Sequence, residues 1–500
     1  MSVETSASSG DEASPACRTL VIFGASGDLT RRKLIPALYS LDRDGLLPPE
    51  LRIVGFSRTA PGNDDFRRGM REAVREFSRR PPTEADWPRF ALRLHSLAGD
   101  YARDADYAAL QRFADGLCPR GGSGSCLYYL ALPPAAAETV LGQLARLRRE
   151  RPGPGDRVLI EKPFGSDLEG ARRLNRLCAA GFGESEIGRI DHYLAKDTVR
   201  NLLVLRFGNA VFEELWNRRH IDNIQITAAE TLGVGSRAGY YEAAGVVRDM
   251  IQNHLLQIMA LVAMEPPLPG DLDSVRTHRL EVFKSILPVG PEDFAFGQYR
   301  GYRAEPGVAP GSRTPTFAAL RLEVANWRWQ GVPFYLRSGK ALGRRLSEVV
   351  IRFKSVPLCL LESEQACQTA RPNTLGIRLH PDEGLRLAFN VRLPGCEQRL
   401  EQTELDFRYS QLGVELPEAY ERVLLDALRG APLVFPRADE VEAAWQVVMP
   451  LVEAGARPGT PELPVYEPGS WGPAEAAALP ARDGRAWINP PDGPPKPGAA

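Results

Sequence analysis

Between residues 19 and 190, short apolar runs alternate with amphipathic stretches, the rhythm of β-α-β units. Residues 19–23, 52–56, 126–130 and 157–160 read as strands, and 33–41, 105–117, 135–149 and 168–179 as helices. Near-continuous apolar strands interleaved with helices predict a doubly wound parallel sheet, an α/β Rossmann-like N-terminal domain. Past residue 210 the period changes. Residues 224–228, 317–324, 349–353, 376–380 and 385–393 alternate apolar with polar side chains, as half-buried strands do. Helical patterns, notably 241–264, lie before and among them. The second half therefore reads as an α+β C-terminal domain with a large, mainly antiparallel sheet. Expected boundaries are a disordered tail over 1–17, the first domain over 18–195, the second over 196–485 and a second tail over 486–500.

Composition narrows the class of protein. The 500 residues suffice for two or three domains, and a formal net charge of −1 gives no global attraction to nucleic acid or membrane. Seven cysteines, odd in number and without C-x-x-C spacing, argue against a disulfide framework or zinc site and suit a reducing cytoplasm. The first twenty residues lack the basic start and apolar run of a signal peptide, and the most apolar helical stretch, 255–264, is too short to span a bilayer. A cytoplasmic protein without a structural metal is expected. Only 7 of the 62 basic residues are lysine, and four of these (Lys33, Lys162, Lys196 and Lys340) fall in the motifs below.

The first strand runs into Gly24, Ala25, Ser26, Gly27, Asp28 and Leu29, and a helix follows. A glycine-rich strand-to-helix turn lets backbone N–H groups and a helix N-terminus meet a dinucleotide pyrophosphate. The spacing is G-x-x-G, neither G-x-G-x-x-G nor a P-loop, and a plain turn has the same spacing. The second strand ends in Arg58 and Thr59, with no carboxylate to repel a 2′-phosphate, which favours NADP over NAD. After the strand 157–160 come Glu161, Lys162 and Pro163, at the sheet end where ligands bind. Asp191, His192, Tyr193 and Lys196 gather three donors suited to one phosphate. In the helical stretch, Asp249 and Asn253 stand one turn apart with His254 beside them. A histidine in an apolar helix is more often a core residue than a catalyst. Asp191, as a carboxylate partner, would make His254 a general base by fixing its tautomer.

Together GASGDLTRRKLIPALY, EKPFG, RIDHYLAK, RDMIQNHLLQ and NWRWQGVPFYLRSGK resemble the glucose-6-phosphate dehydrogenase family, colinearly from about residue 19 to residue 487. The resemblance implies oxidation of β-D-glucose 6-phosphate to the 6-phosphogluconolactone with NADP, and a homodimer or homotetramer. It implies that His254 takes the C1 hydroxyl proton with help from Asp191, and that His192, Tyr193 and Lys196 hold the 6-phosphate. Glu230, Asp249 and Lys340 would bind sugar hydroxyls, and Lys162 would bridge substrate and nicotinamide. Gly24, Ala25, Ser26, Gly27, Asp28, Leu29, Arg58 and Tyr129 match cofactor positions. Ala195, Asp197 and His380 depart from the family pattern, where Gly, Glu and a sugar-contacting Gln are usual. Two other readings are an NADP-linked oxidoreductase of unphosphorylated sugar and a catalytically silent sensor; a sensor has no use for a base at C1.

Overall fold

The computed structural model describes residues 19–117, 125–150, 155–358, 369–393, 400–413, 415–456 and 462–490. Of the tails expected at 1–17 and 486–500, residues 1–17 and 491–500 lie outside these. The chain forms two compact units.

The first unit is built on six parallel strands: β1 (Thr19–Phe23), β2 (Arg52–Ser57), β3 (Leu94–Ala98), β4 (Cys126–Leu130), β5 (Arg157–Ile160) and β6 (Ile187–Arg189). Their order is β3-β2-β1-β4-β5-β6, the doubly wound arrangement predicted. Order reverses between β1 and β4, so the crevice at the carboxyl ends of these two strands is where a dinucleotide fits. Both faces of β1 and β4 are buried, which is why they read as unbroken apolar runs. The two unpredicted strands carry weak signals: β3 is a half-buried edge strand, Leu-His-Ser-Leu-Ala, and β6 has three residues.

Residues 417–438, expected in the second domain, belong to this first unit. Side-chain chemistry explains their return. The helix Ala419–Arg429 buries Val423, Leu424 and Leu428. Its buried Glu421 receives a bidentate pair from Arg79, at 2.8 and 3.0 Å. Arg157 of β5 donates to the carbonyls of Ala427 and Leu428 at 3.1 and 3.3 Å, satisfying the last turn, which Gly430 closes at φ +74°.

The second unit holds β7 (Ile221–Ala229), β8 (Phe294–Tyr299), β9 (Phe317–Glu323), β10 (Pro333–Gly339), β11 (Leu346–Phe353), β12 (Thr374–His380), β13 (Gly384–Arg392), β14 (Leu400–Arg408) and β15 (Val465–Tyr466). They form one sheet in the order β14-β13-β12-β11-β7-β10-β9-β8-β15. Pairing is antiparallel except at β7/β10 and β8/β15, so the sheet is mixed but mainly antiparallel, as predicted. Arg337, Thr227, Glu348 and Arg378 stand directly opposite one another across β10, β7, β11 and β12 and so share a face.

The expected tail from 486 does not begin there. Ile488 N–H donates to Gln225 Oε1 at 2.7 Å, Trp487 Nε1 donates to Ala476 O at 2.8 Å, and the Trp487 ring lies 4.4 Å from the Arg337 guanidinium. An indole over a buried cation, with its N–H satisfied, orders the chain as far as residue 490.

Candidate active site

In the first unit, β1 ends at a turn that only glycine can begin. Gly24 has φ +86°, and its N–H donates to Phe56 O at 3.2 Å. A Cβ there would sit 3.1 Å from the carbonyl carbon of Ala131 and closer still to its oxygen. Gly27 N–H and Thr30 Oγ1 both donate to Gly24 O, at 2.9 and 3.0 Å, fixing the turn. Ala25 is buried against the sheet, whereas Ser26 and Asp28 are exposed and Gly27 and Leu29 half-buried. A Cβ on Gly27 would meet only Gly24 O, at 3.0 Å, so the space beside it is open to a ligand. This is a cradle that a side chain would fill, and it fits a dinucleotide phosphate. Arg58 is exposed just past β2, and Tyr101, its phenol pushed up by burial, lies against Gly24 within the field of Arg58.

At the end of β5, Glu161 is the residue the sequence reading missed. It accepts hydrogen bonds from Tyr129 at 2.6 Å and from Tyr420 at 3.2 Å. Burial pushes its carboxyl up, against the pull of those hydroxyls and of Lys162. Tyr129, expected at the cofactor, is itself fully buried and spends its hydroxyl on Glu161. Its influence on the site therefore runs through the Glu161–Lys162 segment. Tyr420 had no signal of its own, because it arrives on the returning helix.

The Asp191–Lys196 segment is a tight turn in front of the helix Asp197–Phe207. Asp191 Oδ1 accepts the Tyr193 N–H at 2.9 Å, Leu194 N–H returns to Asp191 O and Lys196 N–H to Tyr193 O. The buried carboxylate thus shapes the loop that gathers the donors. Lys196 Nζ lies 4.0 Å from the Tyr193 ring centroid, and His192 packs between Tyr193 at 5.3 Å and a stacked Tyr420 at 6.2 Å. Imidazole, phenol and ammonium thus lie close together on one turn.

The second unit carries the remaining predicted residues. Glu230 follows β7 and Lys340 follows the adjoining β10. Glu230 N–H donates to Gly339 O at 3.0 Å, and Lys340 Nζ pairs with the Glu230 carboxylate and sits 5.5 Å over the Tyr241 ring. The predicted helix over 241–264 is three elements: an α-helix Ala238–Val246, a π-helical stretch Val247–Leu255 and an α-helix Leu256–Ala263. Gly245, at φ +60°, breaks the first from the second. In an α-helix residues five apart are turned by about 140°, whereas π winding closes on i+5. Asp249 and His254 are therefore turned closer together than an α-helix would set them, with Asn253 still beside that face. Asp249 accepts from Tyr240 Oη at 3.4 Å, and Asn253 Oδ1 accepts the His254 N–H at 2.6 Å. His254 has no exposed surface. Asp191 belongs to the first unit and His254 to the second. His380 ends β12 with Nδ1 3.6 Å from Glu383. Among the described residues, no three His, Cys, Asp or Glu side chains cluster as metal ligands would, and no helix is long and apolar enough to cross a membrane.

Comparison with known proteins gives these halves a common context. Residues 21–201 match the glucose-6-phosphate dehydrogenase NAD binding domain, and residues 203–488 its C-terminal domain. A glucose-6-phosphate 1-dehydrogenase of Aggregatibacter actinomycetemcomitans is 43% identical over 492 residues, covering 94% of this chain and 97% of its own. Glucose-6-phosphate 1-dehydrogenase 2 of Mycobacterium tuberculosis is 41% identical over 488 residues, 94% of each chain. Among solved structures, a glucose-6-phosphate dehydrogenase in complex with its substrate glucose 6-phosphate superposes with TM-score 0.88 at 34% identity, over 96% of this chain and all of the other. That of Mycobacterium avium superposes with TM-score 0.84 at 37% identity, over 95% and 99%. Colinear identity along both units, on a fold shared from end to end, means that this chain belongs to the glucose-6-phosphate dehydrogenase family.

Proposed function

We propose that the chain oxidises β-D-glucose 6-phosphate to 6-phospho-D-glucono-1,5-lactone with NADP+, the first step of the oxidative pentose phosphate pathway. The observation that carries this reading is the turn at Asp191–Lys196, which gathers His192, Tyr193 and Lys196 on a chain otherwise colinear with glucose-6-phosphate dehydrogenases. Those three side chains bind the 6-phosphate, far from the reacting carbon. Glu230, Asp249 and Lys340 take sugar hydroxyls, so that remote binding energy orients C1. His254 removes the C1 hydroxyl proton, and Asp191 holds the imidazole in the tautomer that can accept it. The residues from Gly24 to Leu29, with Arg58, hold the dinucleotide, Tyr129 supports that site through Glu161, and Lys162 reaches toward both partners. NADP+, when bound, supplies the acceptor for the C1 hydride. Leu405 on the edge strand β14 is 62% exposed, an apolar side chain that self-association into a dimer or tetramer would cover, and sedimentation would read that state.

The test follows NADPH absorbance with glucose 6-phosphate, then with glucose and with NAD+ in its place. His254→Asn is expected to lower turnover by roughly 10²–10⁴-fold, the usual worth of a general base, with the fold retained. Near-full turnover in that variant would refute the assignment and leave His254 a core residue. Equal rates with glucose would point instead to an oxidoreductase of unphosphorylated sugar.

A further inference from the structure

The loop that presents Lys340 is held by a stretch of chain more than a hundred residues away. Lys340 N–H donates to Thr316 O at 3.0 Å, while Tyr466 Oη donates to Lys340 O at 2.7 Å and contacts Thr316 Oγ1 at 3.0 Å. The next residue, Ala341, has φ +52°, the left-handed region that a side chain rarely adopts. Its carbonyl accepts Gly469 N–H at 2.9 Å, and Gly343 N–H donates to Ser470 O at 2.8 Å. The two backbones approach so closely that a Cβ on Gly343 would lie 2.6 Å from Gly469 O. A strained residue persists only where its surroundings over-determine it. Here three bonds from residues 466–470 fall in register on residues 340–343. Tyr466 is buried and anchored edge-on to Phe317 at 5.7 Å and to Tyr299 at 6.3 Å.

We infer that residues 465–472 are a positioning clamp for sugar binding, with Tyr466 as its key: the clamp fixes the backbone of Lys340 so that its ammonium, paired with Glu230, meets the hexose hydroxyls. This rests on the role given to Lys340 above and adds a residue that touches neither substrate nor cofactor. Tyr466 acts only through Lys340, so its loss should appear in the sugar's KM and spare the dinucleotide's.

Steady-state kinetics of the full-length chain test this with three variants. Tyr466→Phe removes the hydroxyl and keeps the ring; Gly343→Ala removes no polar group but drives the two loops apart. Both are expected to raise KM for glucose 6-phosphate about tenfold, the worth of one well-placed hydrogen bond, with kcat lowered less than about threefold and KM for NADP+ within about twofold. An unchanged sugar KM in both variants overturns the clamp, and so does a parallel rise in both KM values, which marks general loosening. Should Tyr466→Phe fail to fold, Gly343→Ala decides on the same criteria. Lys340→Met separates the two levels. If it raises the sugar KM while the clamp variants do not, the clamp falls and the role of Lys340 stands. If it leaves that KM unchanged, the role of Lys340 falls and the clamp with it.

Discussion

Substituting alanine at Gly24 and at Gly27 separates the turn's two duties, folding and ligand approach. At Gly24 an alanine must adopt φ +86°, at about 1–2 kcal/mol, and its Cβ would drive into the Ala131 carbonyl at the neck between β1 and β4. Relieving that overlap stretches the bonds from Ala131 N–H to Phe23 O, 3.0 Å, and from Gly24 N–H to Phe56 O, 3.2 Å. Each is worth about 0.5–1.5 kcal/mol net, so the whole penalty comes to about 3 kcal/mol. A penalty of that size lowers Tm by roughly 6–12 °C in a unit this large and weakens cofactor binding by up to about a hundredfold. Gly27 is different. Its φ is ordinary and its Cβ would press only on Gly24 O, so Tm should fall by no more than about 2 °C. Yet that methyl occupies the space a phosphate must enter, and affinity should fall at least about tenfold. Differential scanning calorimetry reads the first quantity, and fluorescence titration with NADPH reads the second. If Gly27→Ala binds NADPH like the parent chain, this turn is not the pyrophosphate site, whatever Gly24→Ala does.

Other expectations concern cofactor choice and pH. Arg58→Ala should cost NADP+ about ten- to a hundredfold in kcat/KM, one charge-assisted contact, while NAD+ changes little; an equal loss with both would refute 2′-phosphate recognition. The Glu348 carboxyl, buried in β11, is pushed above the usual range, chiefly by burial, against Arg386, Arg378, Arg344 and Arg337. The folded chain thus holds this proton more tightly than the unfolded one. Its contribution is present in full below the ordinary carboxylate pKa of about 4.3 and is lost as pH rises through the raised folded value. Glu348→Gln should therefore gain Tm relative to the parent as pH climbs from about 4.5 toward 7. Parallel Tm curves would show that the carboxyl titrates normally.

Much of this architecture is legible in the chain because burial on both faces writes it plainly. β1, β4 and β5 were readable to the residue, and so was the helix Leu168–Ala179. Of the strands that escaped in the second unit (β8, β10, β14 and β15), β14 has a plain physical reason. β14 is an edge strand of mostly exposed charged and polar residues, so it lacks the alternation that betrays β13. The residues that carry the site's chemistry were visible as clusters of donors, but their winding was not. From Val246 to Ile251 nearly every side chain is buried, so the apolar pattern carries no phase with which to tell π from α. Glu161 hid inside a motif whose lysine drew attention. Tyr420 and Tyr466 hid because each acts across a long sequence separation, which no local pattern encodes.

The return of residues 417–438 to the first unit has a temporal side. A ribosome releases the strands β1 to β6 long before it has made the helix that Arg79 and Arg157 are waiting to grip. Until Ala438 emerges, those two arginines and the apolar surface meant for Val423, Leu424 and Leu428 stay open to solvent and to chaperones. Completion of the nucleotide-binding unit is thereby tied to near-completion of the whole polypeptide. A fragment ending at Lys196 should accumulate as an unfinished, aggregation-prone species.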